Sequence, residues 1–308
     1  MTFVYAVPPV LPPAPPTKWR GLVVKWTGWD GTEWDLTDYR SGVFLQNSGV
    51  EGLTMPAHTA WTAGSPAVHG QYYRGHVVEP RTVFWPVHIY GDTSEEWLAR
   101  NAAFWRTMHP GKYGTWSVTT PGGSQRTLSC RFVDDGGHSY GLDPSMAGWA
   151  SYAVSLIADQ PFWLGEPQRR TWAQSDPVDF FGGVAKGPPF RISSGSQLAT
   201  ATITNEGDVE AWPVWTIRGP ATSVTVGVDG QTVQWTVALT EGDTLIIDTD
   251  PTVQSAWLNG VDATAQLGEA NFAPIPAGED RPLSLTMAGT GSVQAEIIPR
   301  YYMAMAGR

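Results

Sequence analysis

The sequence predicts a mainly β protein built from two β domains, the first carrying a single packed α-helix. Three observations carry that expectation. The last hundred residues run as short β-branched and aromatic stretches separated by small-residue turns, the pattern of an antiparallel sandwich. Asp229-Gly230 and Asn259-Gly260 are dipeptides favoured in two-residue hairpins, where both central residues take positive φ. Only the window 94–108 combines helical spacing of apolar residues with a helix start signal.

The chain opens with Pro8-Pro9-Val10-Leu11-Pro12-Pro13-Ala14-Pro15-Pro16, a polyproline II stretch whose prolines cannot donate backbone hydrogen bonds. Residues 1–20 are read as an arm, either a stiff leader or a preformed segment laid over a neighbouring subunit. A first domain follows over residues 21–165. Its strands begin with Leu22-Val23-Val24-Lys25-Trp26, and Arg81–Tyr90 is a strong strand whose Pro86 predicts an edge position or a bulge. Thr93-Ser94-Glu95-Glu96 is a capping box, and Trp97, Leu98, Phe104, Trp105 and Met108 recur at helical spacing behind it. That apolar face should cover a sheet, with Trp105 as a principal anchor. The helix should end before His109-Pro110, because proline disfavours helical geometry in the preceding residue. Trp116–Thr119 and Arg126–Val133 read as a hairpin, and the alternation of Ser151–Ile157 closes the domain. Residues 166–196, rich in Gly, Pro and Ser, are expected to be a long link or a set of loops. The second domain spans 197–308, with strands expected near 197–204, 212–218, 222–228, 231–238, 244–248, 253–258, 281–286 and 292–298.

Composition narrows the function. The net charge of −10 disfavours nucleic acid as a partner, since phosphate binding needs a basic face. Residues 1–165 carry 11 basic and 13 acidic groups, and residues 166–308 carry 8 and 16, so the second half holds most of the excess. Sixteen tryptophans are a large surplus for a β-rich chain and raise the odds of extensive interfaces, where Trp is enriched, while most of them are expected in the core or in inter-domain packing. No run of eighteen apolar residues exists, so no membrane insertion is expected, and Met1–Val7 lacks the basic start of a signal peptide. Cys130 is the lone cysteine and is expected to be a buried, inert thiol.

The search for chemistry selects little. The six histidines form no ligand pair, and no nucleophile elbow, Walker loop or dinucleotide fingerprint occurs, so neither an enzyme nor a cofactor is expected. Asp243, Asp248 and Asp250 lack the spacing of a calcium loop and are read as edge or turn carboxylates. The best carbohydrate candidate is Trp257 as a stacking platform beside Asn259, although Asn259-Gly260 is better explained as a hairpin turn.

Five further segments carry a resemblance. Asn205-Glu206-Gly207-Asp208 precedes Trp212-Pro-Val-Trp-Thr-Ile217, and Glu241–Asp248, Pro274–Gly278 and Val293–Tyr301 follow in order. In that order and spacing they resemble the C-terminal domain of the distal tail proteins (Dit) of long-tailed, non-contractile bacteriophages. Arg81–Gly91, the helix after it and Gly114–Leu128 are similar to the family's N-terminal half. The resemblance implies a β-sandwich or split-barrel-like first domain with one helix, which packs into a hexameric ring, and a galectin-like second sandwich that projects outward. It implies a structural virion protein at the tail tip, made in the host bacterial cytoplasm. Its partners would be further copies of itself, the tail tube protein, the tape-measure protein and the tail-tip or baseplate hub proteins. The alternative is a carbohydrate- or cell-wall-binding module acting in adsorption, with a host cell-wall glycan as ligand. A galectin-type site needs His, Asn and Arg donors around its Trp, and the second domain has no histidine at all.

Overall fold

The computed structural model describes residues 21–46, 49–137, 139–173 and 198–305 and is mostly β. The proline-rich arm and residues 174–197 of the expected link lie outside the described residues. The first domain opens with β1 (Val23–Thr27), β2 (Glu33–Asp35) and β3 (Val43–Leu45). A long hairpin, β4 (His58–Ser65) and β5 (Val68–Val78), precedes β6 (Arg81–Tyr90). Helix α1 (Ser94–Arg106) leads to β7 (Gly114–Thr119) and β8 (Gln125–Asp134). The single turn α2 (Pro144–Ala147), β9 (Trp149–Ala158) and β10 (Trp163–Leu164) complete the domain.

Seven of these strands form an antiparallel sheet in the order β2-β1-β7-β8-β9-β6-β3, and β10 pairs with β8 off this path. The Leu45 amide donates to the Leu36 carbonyl at 2.9 Å, so the β2 and β3 edges nearly meet and the sheet is almost a barrel. Alternation along β6 sends Val83, Trp85, Val87 and Ile89 inward, where all four are buried. Trp26, Trp85, Trp116 and Trp163 form a continuous chain of ring contacts through this core, with centroids 5.3, 5.2 and 4.9 Å apart. Such pairs add about 1 kcal/mol each beyond their burial. The tryptophan surplus is therefore partly a core device.

Helix α1 starts where its capping residues dictate. Thr93 Oγ1 accepts from the Glu96 amide at 3.1 Å, and Glu96 Oε2 accepts from the Asp92 amide at 2.8 Å. The anchors differ from expectation. Trp97 and Phe104 are fully buried, whereas Trp105 is half-buried and packs edge-on against Phe132 and Tyr152, and Leu98 faces solvent. Pro86 also departs from the edge reading, because β6 is paired on both flanks. The side its missing amide would face is where β3 has just ended, and there the Gln46 amide donates to the Pro86 carbonyl. Cys130 is buried in β8, and burial pushes its thiol far above the ordinary range, the signature of an inert side chain.

The second set of strands opens with β11 (Gln168–Ala173), which falls within the segment expected to be a link. It continues through β12 (Thr202–Thr204), β13 (Val214–Arg218), β14 (Ala221–Val228), β15 (Gln231–Trp235) and β16 (Thr244–Asp248). After these come β17 (Ser255–Leu258), β18 (Val261–Asp262) and β19 (Leu267–Ala270). The strand expected at 281–286 is two strands, β20 (Asp280–Pro282) and β21 (Thr286–Gly289), with buried Leu283 and Leu285 in the step between them. Strands β22 (Ser292–Ile297) and β23 (Arg300–Tyr301) are the last among the described residues.

Two sheets, β11-β22-β13-β16-β17-β18 and β19-β15-β14-β21, share one core. Trp215, Ile247 and Val293 fill it from one sheet, and Val226, Trp235 and Met287 from the other. This is the antiparallel sandwich the strand pattern predicts. Both signalled hairpins form: Asp229 and Gly230 take φ of 48° and 82°, and Asn259 and Gly260 take 51° and 80°.

Candidate assembly interface

Two exposed surfaces of the first domain and one joint between the domains stand out among the described residues. The β4–β5 hairpin forms a two-stranded sheet of its own. Its side chains lie mostly in solvent, including Trp61, Tyr72, Tyr73 and Val77. A two-stranded ribbon without a third strand or a core beneath it is marginal in water. At its base, Met55, Pro56, His58, Tyr73, His76 and Tyr302 line an apolar hollow of about 350 Å³.

A second surface lies between the end of β8 and the start of β9. Tyr140, Leu142, Pro144, Ala147 and Trp149 line a groove of about 490 Å³. Leu142 in its lining is 78% exposed, and Met146 in the same stretch of chain is 87% exposed. Trp149 is held in place by stacking on His88, centroids 5.4 Å apart, and burial lowers the pKa of that histidine.

The joint is built on the C-terminal segment, and nothing in the sequence signals it. Residues 300–305 leave the sandwich and pack on the first domain: β23 pairs with β10, and Ala304 is buried in the first core. Arg81, 2% exposed, holds this segment through backbone carbonyls alone. Its Nε donates to Pro161 O at 2.6 Å, its Nη1 to Gly52 O (2.9 Å) and to Thr54 O, and its Nη2 to Tyr302 O at 2.7 Å. Burial pushes this guanidinium down to about 10. Arg126 donates to Met303 O at 2.6 Å and lies 3.4 Å over the Tyr301 ring, a cation–π contact. From the other side, the Tyr302 amide donates to Asp208 Oδ2 (3.0 Å), and Arg300 Nη2 donates to Asp250 Oδ2 (2.6 Å). The Asn205–Asp208 motif is thus the sandwich's half of the joint. Buried Asn205 folds the turn by donating to Val209 O and Ile275 O and accepting from the Gly207 amide. A Cβ on Gly207 would lie 2.8 Å from the Arg300 backbone, so the turn has no room for a side chain there.

Trp257 and Asn259, the carbohydrate candidates, lie in the β17–β18 hairpin, Trp257 in β17 and Asn259 in the turn, and Trp257 is 42% exposed. Trp257 Nε1 donates to Ser255 Oγ at 3.0 Å. The amide of Asn259 is taken up by the turn, accepting from the Thr244 amide at 2.9 Å and donating to Asp243 Oδ1 at 2.7 Å. Asp243 caps Thr240, and Asp248 accepts from the Asp250 amide, so these carboxylates serve local turns.

No family model matches the chain, and no curated protein matches it. Solved structures do. The SPP1 Dit (gp 19.1) protein, described as a paradigm of the hub adsorption apparatus in phages infecting Gram-positive hosts, aligns with a TM-score of 0.63 at 13% identity, over 91% of this chain and 99% of that one. Chains of the phage P2 baseplate in its activated conformation align with TM-scores of 0.56 (with Ca) and 0.53 (with Sr). They share 13% and 14% identity, cover 91% and 90% of this chain, and are themselves covered over 98% of their length. At such identities the match is one of fold: this chain has the β-rich Dit-like fold along most of its length, as its motifs imply.

Proposed function

We propose that the chain is a structural component of a phage tail tip, a distal tail hub whose first domain assembles into a hexameric ring. The ring would join the tail tube and the tape-measure protein to the tail-tip or baseplate proteins. The second sandwich, which we expect to be galectin-like, would lie on the outside. The protein would be made in the host bacterial cytoplasm and act in the virion, without catalysis. The observation that carries this reading is the β4–β5 hairpin. It exposes aromatic surface that a monomer in water has no reason to maintain, and large exposed apolar patches mark partner surfaces. The charge distribution agrees: residues 166–308 carry 8 basic against 16 acidic groups, and lobes of like charge are best kept apart at a periphery. The alternative, adsorption through a host cell-wall glycan, has the exposed face of Trp257 in its favour, but the Asn259 amide is already engaged.

Negative-stain images and mass photometry of the full chain test the proposal. Six-fold rings are expected, and replacing residues 58–78 with a short Gly-Asn-Gly link should give folded monomers. A native chain that stays monomeric at micromolar concentration would sink the reading, as would intact rings without the hairpin.

A further inference from the structure

The groove beside Trp149 is walled by two aromatic rings that are fixed from behind. Trp149 stacks on His88 with centroids 5.4 Å apart. The Tyr140 hydroxyl lies 3.0 Å from that of Tyr152, which in turn donates to Asn101 Oδ1 at 2.8 Å. Leu142, Pro144 and Ala147 continue the lining, and among the described residues no charged side chain is part of it. Asp143, next to Leu142 in sequence, is taken up by its own helix cap, where it accepts from the Ser145 amide and hydroxyl. Among the described residues the Trp149 indole N–H forms no hydrogen bond, so this apolar groove carries a spare donor.

The sequence holds a segment of matching chemistry. Pro8–Pro16, which lies outside the described residues, has six prolines in nine residues, and residues 1–17 contain no charged side chain. Proline-rich segments dock in aromatic-lined grooves at low entropic cost, because a polyproline II backbone is already extended and its carbonyls have no internal partner. At three residues per turn, Pro9, Pro12 and Pro15 would share one edge. Such an edge suits a groove walled by Tyr140 and Trp149, and a carbonyl beside it would accept from the Trp149 indole.

The segment can reach this groove within its own copy. The Leu36 amide donates to Val24 O and the Leu45 amide to Leu36 O, Leu45 faces Val87, and Tyr90 faces Trp149. A walk along these strands from Gly21 to Trp149 covers roughly 40 Å, and the straight line is shorter. From Gly21 back to Pro8 a polyproline II chain spans about 40 Å. A ligand tethered this way meets its site at millimolar effective concentration, well above a second copy free in dilute solution. We propose that Pro8–Pro16 docks in the Tyr140–Trp149 groove of its own chain. The contact would cover Leu142, 78% exposed without it, and it does not depend on the ring reading.

Two measurements on the full chain test it. Leu142→Cys places a thiol in the groove lining, and buried Cys130 does not compete for reagent. At millimolar effective concentration a contact of only ~100 μM affinity is about nine-tenths occupied, which slows maleimide labelling about tenfold. Replacing Pro9, Pro12 and Pro15 with Gly in the same chain should restore the fast rate, with a thermal melt of each variant confirming that the fold is kept. In the second measurement a chain carrying both Leu11→Cys and Leu142→Cys is treated with a short bis-maleimide at high dilution. The crosslink should form within one copy, and a mixture of the two singly substituted chains should give no covalent pair. Equal labelling rates with and without the three glycines, or crosslinks only between copies, would overturn the proposal. Neither result bears on the hub reading, which is tested by the six-fold rings.

Discussion

The two domains grip the same C-terminal segment by opposite means. The first domain uses buried cations, Arg81 and Arg126, which reach backbone carbonyls and form no direct ion pair among the described residues, although Asp208 acts on Arg126 from a distance. The sandwich uses partly exposed anions, Asp208 and Asp250, which take the Tyr302 amide and the Arg300 guanidinium. Their surfaces diverge as well. Among the described residues, the exposed large apolar side chains of the first domain include Trp29, Trp61, Tyr72, Tyr73, Tyr140 and Trp149, whereas Trp257 is the sandwich's exposed aromatic. A grip made of buried cations and carbonyls holds its charge in acid; one that includes the Asp250 carboxylate weakens once acid protonates it. The difference teaches which half of the joint sets its strength and which half sets its response to pH.

The strongest way to break that contrast is at Arg81. Arg81→Met removes the donors to Gly52, Thr54, Pro161 and Tyr302 and leaves those carbonyls short of partners inside the protein. Each orphaned buried acceptor costs about 1–3 kcal/mol, partly offset by relief from burying a cation, so a net loss of about 3 kcal/mol is expected. Denaturant melts measure it, and limited proteolysis should show early cleavage near residues 300–305. A variant as stable as the native chain, with a protected C-terminus, would show that the first domain does not hold this segment.

That joint is also where the sequence was least legible. Strand alternation, the capping box and the two positive-φ hairpins are local signals, and each reads correctly because its cause lies within a few residues. Arg81 donates to a residue 221 positions away, and no local pattern encodes such a partner. The exposed hairpin was missed for a related reason. Residues 58–78 have ordinary strand-forming content, and only the fold reveals that no third strand covers them. At Trp257 and Asn259 the turn chemistry was readable, since Asn259 occupies the left-handed position that its dipeptide predicts.

The helix of the first domain sharpens the comparison from the core side, because no α-helix packs on the sandwich among the described residues. Phe104→Ala empties a fully buried position and should cost about 3–5 kcal/mol. Trp105→Ala, at a half-buried ring, should cost roughly half as much, and Thr93→Ala about 1 kcal/mol through the lost cap. Thermal melts that rank Thr93→Ala at or above Phe104→Ala would mean the helix does not seal the core.

The smallest effect is the most specific to the sandwich's half of the joint. Burial alone would raise the pKa of Asp250. Hydrogen bonds from the Thr252 hydroxyl (2.7 Å) and amide (2.9 Å), with the Arg300 ion pair, outweigh burial and hold the carboxyl below its usual range. A carboxyl depressed in the folded state adds stability above its unfolded pKa of about 3.9 and loses it as pH falls through the lower folded value. The ion pair is therefore fully formed at neutral pH and fails only in acid. Asp250→Asn should cost about 1 kcal/mol at neutral pH, as suits a partly exposed pair, and nothing once acid has protonated the native carboxyl. Melts of both proteins at neutral pH and near pH 2.5 should show the gap between them closing in acid. A gap of equal size at both pH values would mean that Asp250 acts through the shape of its turn and not through its charge. The Arg300–Asp250 contact would then not be the acid-labile part of the joint.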